Sequence, residues 1–343
     1  MPTGYVFEEI FTKHNLPGHP EHAGRLAGIM EYLDKNEILS KLTHVPSRPA
    51  RREELIRCHQ PRYIEFVEKV SQQGGGMLDP DTYANEFSYD AALRAAGGMI
   101  DLTAAVVKRT LDNGFALVRP PGHHATPGRA MGFCLFGTVA IAARAACQDM
   151  GLERVAIVDF DVHHGNGTQA ILEDDPAVLF ISSHQSPFYP GTGSATEIGL
   201  GQARGTKVNI PLPAKTGDEG FKKLYTEIAF PILRRFQPQL ILVSVGFDAH
   251  WKDPLANIEL SLAGYHWLCQ SLVALAAELC QGRIVFTLEG GYDLEVLAPG
   301  VGNIFRVLLG EANNYHDNLG QSFWAEAGVS KLITQLKQIH DLA

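Results

Sequence analysis

The sequence contains no uninterrupted apolar run of about 18 residues, the length that a membrane-spanning helix needs. Its first residues, MPTGYVFEEIFTKHN, include acidic side chains and no basic stretch followed by an apolar one, so they do not resemble a secretory signal. We therefore expect a cytoplasmic protein without a membrane partner.

Cysteine is scarce and basic residues are not in excess. The chain of 343 residues has five cysteines, an odd number, far apart and without a CxxC pair. This pattern argues against both a disulfide framework and a thiolate zinc site. The 29 Lys and Arg residues against 38 Asp and Glu give a formal net charge of −9. That charge disfavours nucleic acid as a partner and mildly favours cationic ligands.

Internal repeats, low-complexity tracts and long linkers are also missing, so the simplest organisation is one domain over residues 1–343. Two glycine-rich stretches, 74–76 and 190–205, lack the GK[ST] ending of a phosphate-binding loop. We expect both to form mobile loops at a rim. The sequence carries no signal for the oligomeric state.

Short apolar runs alternate with helical patterns along the chain. The runs are FALV (115–118), VAIV (155–158), VLFI (178–181), LILVSV (240–245) and IVFTL (284–288). Leucines recur at near-helical spacing over 262–279, and a second helical pattern covers 221–236, where Pro231 should mark a kink or a boundary. Continuous apolar strands separated by helices predict an α/β fold with a single open parallel sheet covered by helices on both faces.

Unusual polar residues follow these strands. The sequences after the five runs are RPPGHH, DFDVHH, SSH, GFDAH and EGGY. Ligands bind at the carboxyl ends of the strands in an open parallel sheet. We therefore expect the five segments to converge on one cleft.

A metal site is indicated by VAIVDFDVHH, where Asp161 and His163 are two residues apart and so share one face of an extended backbone. Asp159 lies on the same face. Asp248 is the best third ligand, because Gly246 lets the backbone approach closely. Three protein ligands leave a coordination position open, which suits hydrolysis. A solvated polar turn for the first cluster and a helix N-cap for Asp248 remain open alternatives.

The adjacent His123 and His124 follow a stiff Pro-Pro-Gly segment and could present both imidazoles to the metal site. One of them would move a proton, because the pKa of histidine lies near neutrality. Asp159 could orient one imidazole, and Asn166, more weakly, the other. A solvated turn is the alternative for a lone His-His pair.

Three aromatic residues also follow strand ends. Tyr292 comes after two glycines and could donate its hydroxyl to a developing oxyanion. Phe133 and Tyr189 could form the walls of a narrow channel for an extended apolar chain. Taken alone, each of the three is more often a core aromatic.

The motifs RPPGHH, DFDVHHGNGTQ, PGTG, GFDAHWKDPLA and LEGGY, in that order over residues 14 to 305, resemble the zinc-dependent histone deacetylase family of the arginase/deacetylase fold. The resemblance implies hydrolysis of an acetyl or related acyl amide on a lysine side chain, releasing the acid and the free amine. It implies these assignments: zinc ligands Asp161, His163 and Asp248; general base and acid His124; its companion His123 paired with Asp159; carbonyl-polarising Tyr292; channel aromatics Phe133 and Tyr189; and a substrate-gripping carboxylate, Asp81. It also implies a structural potassium site formed by Asp159, the backbone at Asp161 and His163, and Ser182 with Ser183.

Departures from the family pattern refine the expectation. Asn166 stands where the nuclear class I enzymes have an aspartate. An asparagine at this position resembles class II enzymes and bacterial histone deacetylase-like amidohydrolases. Tyr189 replaces the usual phenylalanine. Tyr292 is present where some low-activity relatives have histidine, so we expect a competent deacetylase. The short segment at 71–90 looks closer to class II-like enzymes than to acetylpolyamine amidohydrolases.

Three rival functions differ in what they require of these residues. A two-manganese ureohydrolase would need bridging aspartates that DFDVHH and GFDAH do not supply. A non-catalytic acyl-binding protein would have lost a ligand, the base or the tyrosine, and none is lost. An acetylpolyamine amidohydrolase stays open, because an acidic chain also attracts polyamines. The two carboxylates and one histidine would accept iron(II) or cobalt(II) as well as zinc.

Overall fold

A computed structural model describes residues 2–343 and contains ten strands. In chain order the strands are β1 (Thr3–Val6), β2 (Thr43–His44), β3 (Gly75–Asp79), β4 (Thr82–Asn85), β5 (Asn113–Ala116), β6 (Val155–Asp159), β7 (Val178–Gln185), β8 (Lys207–Leu212), β9 (Leu240–Val245) and β10 (Ile284–Leu288). Eight of them form one parallel sheet in the order β2-β1-β5-β10-β9-β6-β7-β8. The remaining two, β3 and β4, form an antiparallel hairpin.

Twelve α-helices connect and cover the strands within residues 2–343. They are α1 (Ile10–Lys13), α2 (Gly24–Lys35), α3 (Arg52–Ile56), α4 (Pro61–Gln72), α5 (Ser88–Val107), α6 (Thr138–Gln148), α7 (Asn166–Leu172), α8 (Asp218–Leu224), α9 (Phe230–Phe236), α10 (Leu262–Cys280), α11 (Leu294–Leu308) and α12 (Ser330–Ile339). Helices α5 and α6 pack together on one face of the sheet, and α2, α10 and α11 form a second packed group. The predicted α/β fold with an open parallel sheet covered by helices is confirmed.

The five strands predicted from apolar runs are the five consecutive central strands, β5-β10-β9-β6-β7. Every residue of these strands is buried, which explains why they read as continuous apolar runs. The outer strands β1, β2 and β8 were not predicted. They are either very short or interrupted by glycine or polar residues, such as Asn209 in KVNIPL.

The bounds of three strands differ from the predicted runs, and β6 differs only by the addition of Asp159. Strand β5 starts at Asn113 and ends at Ala116, two residues before the predicted end. Strand β7 continues to Gln185, because it pairs with β8 as far as Gln185 opposite Leu212. Ser182, Ser183 and His184 therefore lie within the strand and not in a loop after it.

The expectation of two mobile rim loops is wrong in its first half. Gly75 and Gly76 belong to β3 and pair with β4. Gly75 has a φ of +100°, and a Cβ there would lie 2.2 Å from the Ala84 carbonyl oxygen, so the close pairing requires glycine. The second stretch is held by Glu197, whose carboxylate accepts hydrogen bonds from Gly193 N, Ser194 N and Gln169 Nε2.

The two helical patterns are found. The first is α10, which extends one residue past the predicted end to Cys280. The second is divided into α8, a π-helical turn over Tyr225–Ala229, and α9, with Pro231 in the first turn of α9. Proline is tolerated in a first helical turn, where its missing N–H has no partner to lose. Among residues 2–343, no helix is long and apolar enough to span a membrane.

Candidate metal and active site

The chain leaves the sheet at Asp159, the last residue of β6, and then bends through residues 161–163. The extended geometry that the sequence analysis assumed for Asp161 and His163 is therefore wrong. Local hydrogen bonds bring the two side chains together instead. Asp161 Oδ1 accepts from His163 N at 2.9 Å, and Asp161 Oδ2 accepts from Gly290 N at 2.8 Å.

Asp248 lies in the turn after β9 and does not begin a helix, since α10 starts at Leu262 with Ser261 as its N-cap. The N-cap alternative for Asp248 is thus excluded. Its Oδ1 accepts from Val162 N at 3.0 Å, and its Oδ2 lies 3.2 Å from His163 Nδ1. Asp161 Oδ1 lies at the same distance from that nitrogen.

The donor atoms of Asp161, His163 and Asp248 lie within 4.8 Å of one another. One imidazole nitrogen faces two carboxylate oxygens, yet its single hydrogen satisfies only one of them well. The two buried carboxylates have no lysine or arginine partner, so their charge is balanced either by protonated histidine or by a bound cation. The donor set therefore fits a zinc ion, which binds carboxylate oxygen and imidazole nitrogen.

Two glycines make room for these carboxylates. A Cβ at Gly246 would lie 2.1 Å from Asp161 Oδ2 and 2.6 Å from Asp248 Oδ1. A Cβ at Gly290 would lie 2.2 Å from Asp248 Oδ2. Real Cβ atoms do not approach so closely, so both positions require glycine for the carboxylates to converge.

The buried residues His123 and His124 each have an orienting partner. His123 Nδ1 lies 3.0 Å from Asp159 Oδ2, and His124 Nδ1 lies 2.7 Å from Asn166 Oδ1. Both partners are acceptors, so each Nδ1 donates. The Nε2 atom of a neutral His124 then keeps its lone pair.

Electrostatics separate the two imidazoles. Burial opposes protonation of His123, but the carboxylates of Asp161 and Asp159 outweigh it and raise the pKa of His123 well above 6.5. Burial lowers the pKa of His124 well below 6.5, and the neighbouring imidazoles of His123 and His163 lower it further when they are charged. The pKa values of the two imidazoles are therefore shifted in opposite directions, a division typical of acid and base pairs.

A cavity of about 90 Å³ opens onto these side chains. Its lining residues are Asp81, His123, His124, Gly132, Phe133, His163, Tyr189, Leu255 and Tyr292. The Phe133 ring lies 5.8 Å from that of Tyr292, and the Tyr189 ring lies 5.3 Å from that of His124, both edge to face. Tyr189 is 37% exposed and stands at the mouth. The ten side chains expected from the sequence to act in catalysis, substrate binding or zinc binding thus lie at this cavity or directly behind it.

Asp81 lies at the mouth in the turn of the β3-β4 hairpin. Its Oδ1 accepts from Thr82 Oγ1 at 2.7 Å and from Gly132 N at 3.2 Å. The second bond ties Asp81 to the residue before Phe133. The hairpin and the aromatic wall are therefore joined.

Sequence reasoning missed several residues around the cavity. His19 packs its ring 4.7 Å from that of Phe133 and bonds the Asp81 carbonyl oxygen. Arg25 lies 5.1 Å from the Tyr292 ring and donates to the Gly291 carbonyl. Asp253 accepts from Tyr292 N at 2.7 Å. The first two are far from Tyr292 in sequence and gave no local signal, whereas Asp253 follows the GFDAH motif closely.

A second group of potential ligands, His123, Cys134 and Glu289, is also fully buried with donor atoms within 4.8 Å of one another. The Cys134 thiol donates to the Gly132 carbonyl oxygen, and Glu289 Oε2 accepts from Gly122 N. These atoms already have partners, so the group does not demand a cation.

Comparisons with known proteins agree on one family. The family model described as "Histone deacetylase domain" matches residues 19–308. The chain is 42% identical to "Histone deacetylase 14, chloroplastic" of Arabidopsis thaliana, over 90% of this chain and 76% of the relative. It is 43% identical to "Probable deacetylase" of Archaeoglobus fulgidus, over 87% and 84%. The identity to "Histone deacetylase-like amidohydrolase" of Pseudomonas aeruginosa is 40%, over 83% and 75%.

Among solved structures, the HDA15 HD domain superposes with a TM-score of 0.88 at 35% sequence identity. The match covers 98% of this chain and 96% of that one. The residues that the family model matches include every residue that lines the cavity. The chain belongs to the histone deacetylase domain family.

Proposed function

We propose that residues 1–343 form a single catalytic domain, a zinc-dependent amidohydrolase that removes acetyl or related acyl groups from lysine side chains. One observation carries the proposal. The three potential ligands, the neutral His124 and Tyr292 converge on one narrow cavity whose walls are aromatic. Family membership independently favours a deacetylase or amidohydrolase.

Asp161, His163 and Asp248 would hold the zinc ion. When bound, zinc lowers the pKa of a coordinated water to about 7 and polarises a carbonyl oxygen. The chain's own residues then determine the direction of attack and the movement of protons.

His124 is the proposed general base. Its Nδ1 donates to Asn166, so its Nε2 lone pair accepts the proton of the attacking water and later delivers it to the amine that leaves. His123 stays protonated beside Asp159 and stabilises the negative charge that develops. Tyr292 donates its hydroxyl to the carbonyl oxygen as that atom gains charge. Burial raises the pKa of Tyr292 well above its usual value, which keeps the hydroxyl protonated.

The channel selects the shape of the substrate. Phe133 and Tyr189 flank a cavity of about 90 Å³, whose small volume suits a slender methylene chain, and Asp81 at the mouth offers a carboxylate to N–H groups of a bound peptide. Nearby, Asp79 is paired with Arg129 at 2.6 Å, and Arg129 is 61% exposed. This ion pair has little net charge, so the preference for acyl-lysine over acetylpolyamine rests on Asp81, whose carboxylate can accept from the backbone N–H groups that a peptide presents. The net charge of −9 favours the polyamine and keeps it as the second candidate.

Potassium and location remain parts of the proposal. Asp159 lies opposite Ser182 in the pairing of β6 with β7. His184 Nε2 bonds the Gly193 carbonyl, so its Nδ1 accepts from the Ser182 hydroxyl, whose lone pairs stay available to a cation. A higher unfolding midpoint in KCl than in NaCl, lost in Ser182→Ala, would support a potassium site. A cytoplasmic location remains a prediction from the sequence.

The test compares kcat/KM for an acetyl-lysine peptide and for an acetylated polyamine, with zinc content measured in parallel. We expect preference for the peptide. The matched control is Tyr292→Phe, which should keep one zinc per chain while kcat falls about 10²- to 10³-fold, as for other lost oxyanion donors. Preference for the polyamine would change the substrate class. No activity on either substrate, or unchanged turnover in Tyr292→Phe, would contradict the proposed mechanism.

A further inference from the structure

Glu289, the last residue before the two glycines of LEGGY, is 1% exposed and forms no ion pair within residues 2–343. Its carboxylate has three other partners. Oε2 accepts from Gly122 N at 2.7 Å and from His123 N at 3.1 Å, and Oε1 accepts from Ser244 Oγ at 3.2 Å. Burial disfavours the charged carboxylate and raises the pKa of Glu289 to about 7, and the hydrogen bonds and the nearby His123 imidazole only partly offset this effect.

The two backbone N–H groups belong to the segment that carries both active-site histidines. Residues 119–125 form neither helix nor strand, so their buried N–H groups need acceptors from elsewhere. On its other side the segment is closely packed. A Cβ at Gly122 would lie 2.7 Å from the Phe136 carbonyl oxygen and 2.7 Å from Thr138 N. The histidine segment is therefore held between Glu289 and residues 136–138.

The same strand end also holds a metal ligand. Gly290 N donates to Asp161 Oδ2 at 2.8 Å, and the Glu289 backbone N donates to the Val245 carbonyl oxygen at 2.8 Å, on the strand that leads to Asp248. Residues 289 and 290 thus contact both the histidine segment and the ligand group. One short piece of backbone therefore links the histidine segment to the ligand group.

We propose that Glu289 is a positioning residue, which fixes His123 and His124 relative to Asp161, His163 and Asp248 through the reach of one carboxylate oxygen. The inference rests on the proposed function, because it assigns the two histidines to proton transfer. Glu289 lies outside the substrate cavity and acts only through the backbone that it binds.

Two variants separate the effect of side-chain length at position 289 from the effect of its charge. Glu289→Gln loses the charge, but its amide oxygen can accept from both N–H groups and its NH₂ can donate to Ser244. Glu289→Asp keeps the charge, but it is shorter by one methylene, about 1.5 Å, and cannot reach both N–H groups. Misplacement of catalytic groups by about 1 Å costs up to about 10²-fold in rate.

We expect Glu289→Gln to keep kcat within about threefold of wild type and Glu289→Asp to lose about 10- to 100-fold in kcat, with KM and zinc content unchanged in both. Ser244→Ala is the control, because it removes the third hydrogen bond and leaves both backbone bonds intact. Its kcat should stay near that of wild type. The reverse order, with the aspartate variant more active, would assign the role to charge and overturn the proposal.

Hydrogen exchange gives a readout that does not depend on catalysis. Pro120 and Pro121 have no amide hydrogen, so exchange in residues 119–125 reports mainly on the amides at and after Gly122. We expect wild type and Glu289→Gln to be equally protected and Glu289→Asp to exchange faster. Equal protection in wild type, Glu289→Gln and Glu289→Asp would overturn the proposal. A fall in kcat that is proportional to the fraction of unfolded protein would also overturn it. An inactive wild type would instead refute the proposed function, while the exchange order would still test the positioning.

Discussion

The buried ion cluster behind the cavity predicts a large loss of stability in Glu21→Gln. Glu21 is fully buried, and its carboxylate accepts hydrogen bonds from two arginines that are also buried. Oε1 accepts from Arg25 Nη1 at 3.0 Å and from Arg119 Nε, and Oε2 accepts from Arg119 Nη2 at 2.7 Å. Glutamine keeps the shape and one acceptor oxygen, but it leaves both guanidinium groups without a counter-charge.

Breaking a buried ion pair by removing one partner typically costs about 3 to 5 kcal/mol, because the remaining charge stays buried. Here two charges remain, so we expect the free energy of unfolding to fall by at least about 3 kcal/mol out of the roughly 5 to 15 kcal/mol typical of a domain. The assay is urea unfolding at pH 7, followed by circular dichroism, with unchanged m values as the condition for comparison.

Glu31→Gln is the matched control, because Glu31 and Lys35 form an i,i+4 pair like Glu21 and Arg25, but at 64% and 70% exposure. We expect no measurable change in its unfolding midpoint. Burial opposes ionisation of Glu21, but Arg119 and Arg25 outweigh it and hold its pKa well below 4.5. The advantage of wild type over Glu21→Gln should therefore be complete above pH 4.5 and decline below it. A loss under about 1 kcal/mol at pH 7 would refute the electrostatic argument.

Two further predictions concern the ligand group and acid stability. Gly246→Ala should remove zinc binding without unfolding the protein, because its Cβ would displace the Asp161 carboxylate. Gly28→Ala in α2 is the control: its Cβ would have open space around it, so zinc content should not change. One zinc per chain in Gly246→Ala, measured by atomic absorption, would contradict the ligand geometry. Burial lowers the pKa of His59 to about 4, and its ring bonds the Thr126 carbonyl and Gly137 N. Because the folded state favours the neutral ring, stability is full above pH 6.5 and declines as the pH falls towards 4. In the wild type, the free energy of unfolding should fall between pH 7.5 and pH 5, and in His59→Gln this fall should be smaller by roughly 2 kcal/mol. Urea unfolding at both pH values measures the difference. An equal fall in both proteins would show that His59 does not titrate in this way.

The sequence predicted the central sheet well because those strands are buried on both faces and must be continuously apolar. It failed at β1, β2 and β8, whose positions at or near the sheet edges relax that requirement. It also failed at Gly75, where a glycine-rich stretch that resembles a loop is a strand that needs positive φ and a close neighbour. Composition alone does not distinguish these two uses of glycine.

The candidate site shows the same division. Motifs after the strand ends named the three potential ligands, both buried histidines and the cavity aromatics Phe133, Tyr189 and Tyr292, because parallel strands bring their carboxyl ends to one edge. An extended backbone does not bring Asp161 and His163 together, as the sequence pattern had suggested. A bend in the chain does so, together with the hydrogen bond from His163 N to Asp161 Oδ1. The supporting contacts of Arg25 and His19 left no trace in local sequence, because their partners are distant along the chain.

The sequence by itself therefore determined the central strands, the order of the chemical segments that follow them and the identity of the residues at the strand ends, since burial and strand direction are written in local patterns. Only the tertiary structure decided the directions in which the pKa values of the two imidazoles shift, which carboxylates converge and which backbone groups Glu289 holds. Those properties depend on distances of a few ångströms between segments up to 266 residues apart, such as Arg25 and Gly291, and on the burial that the whole fold creates.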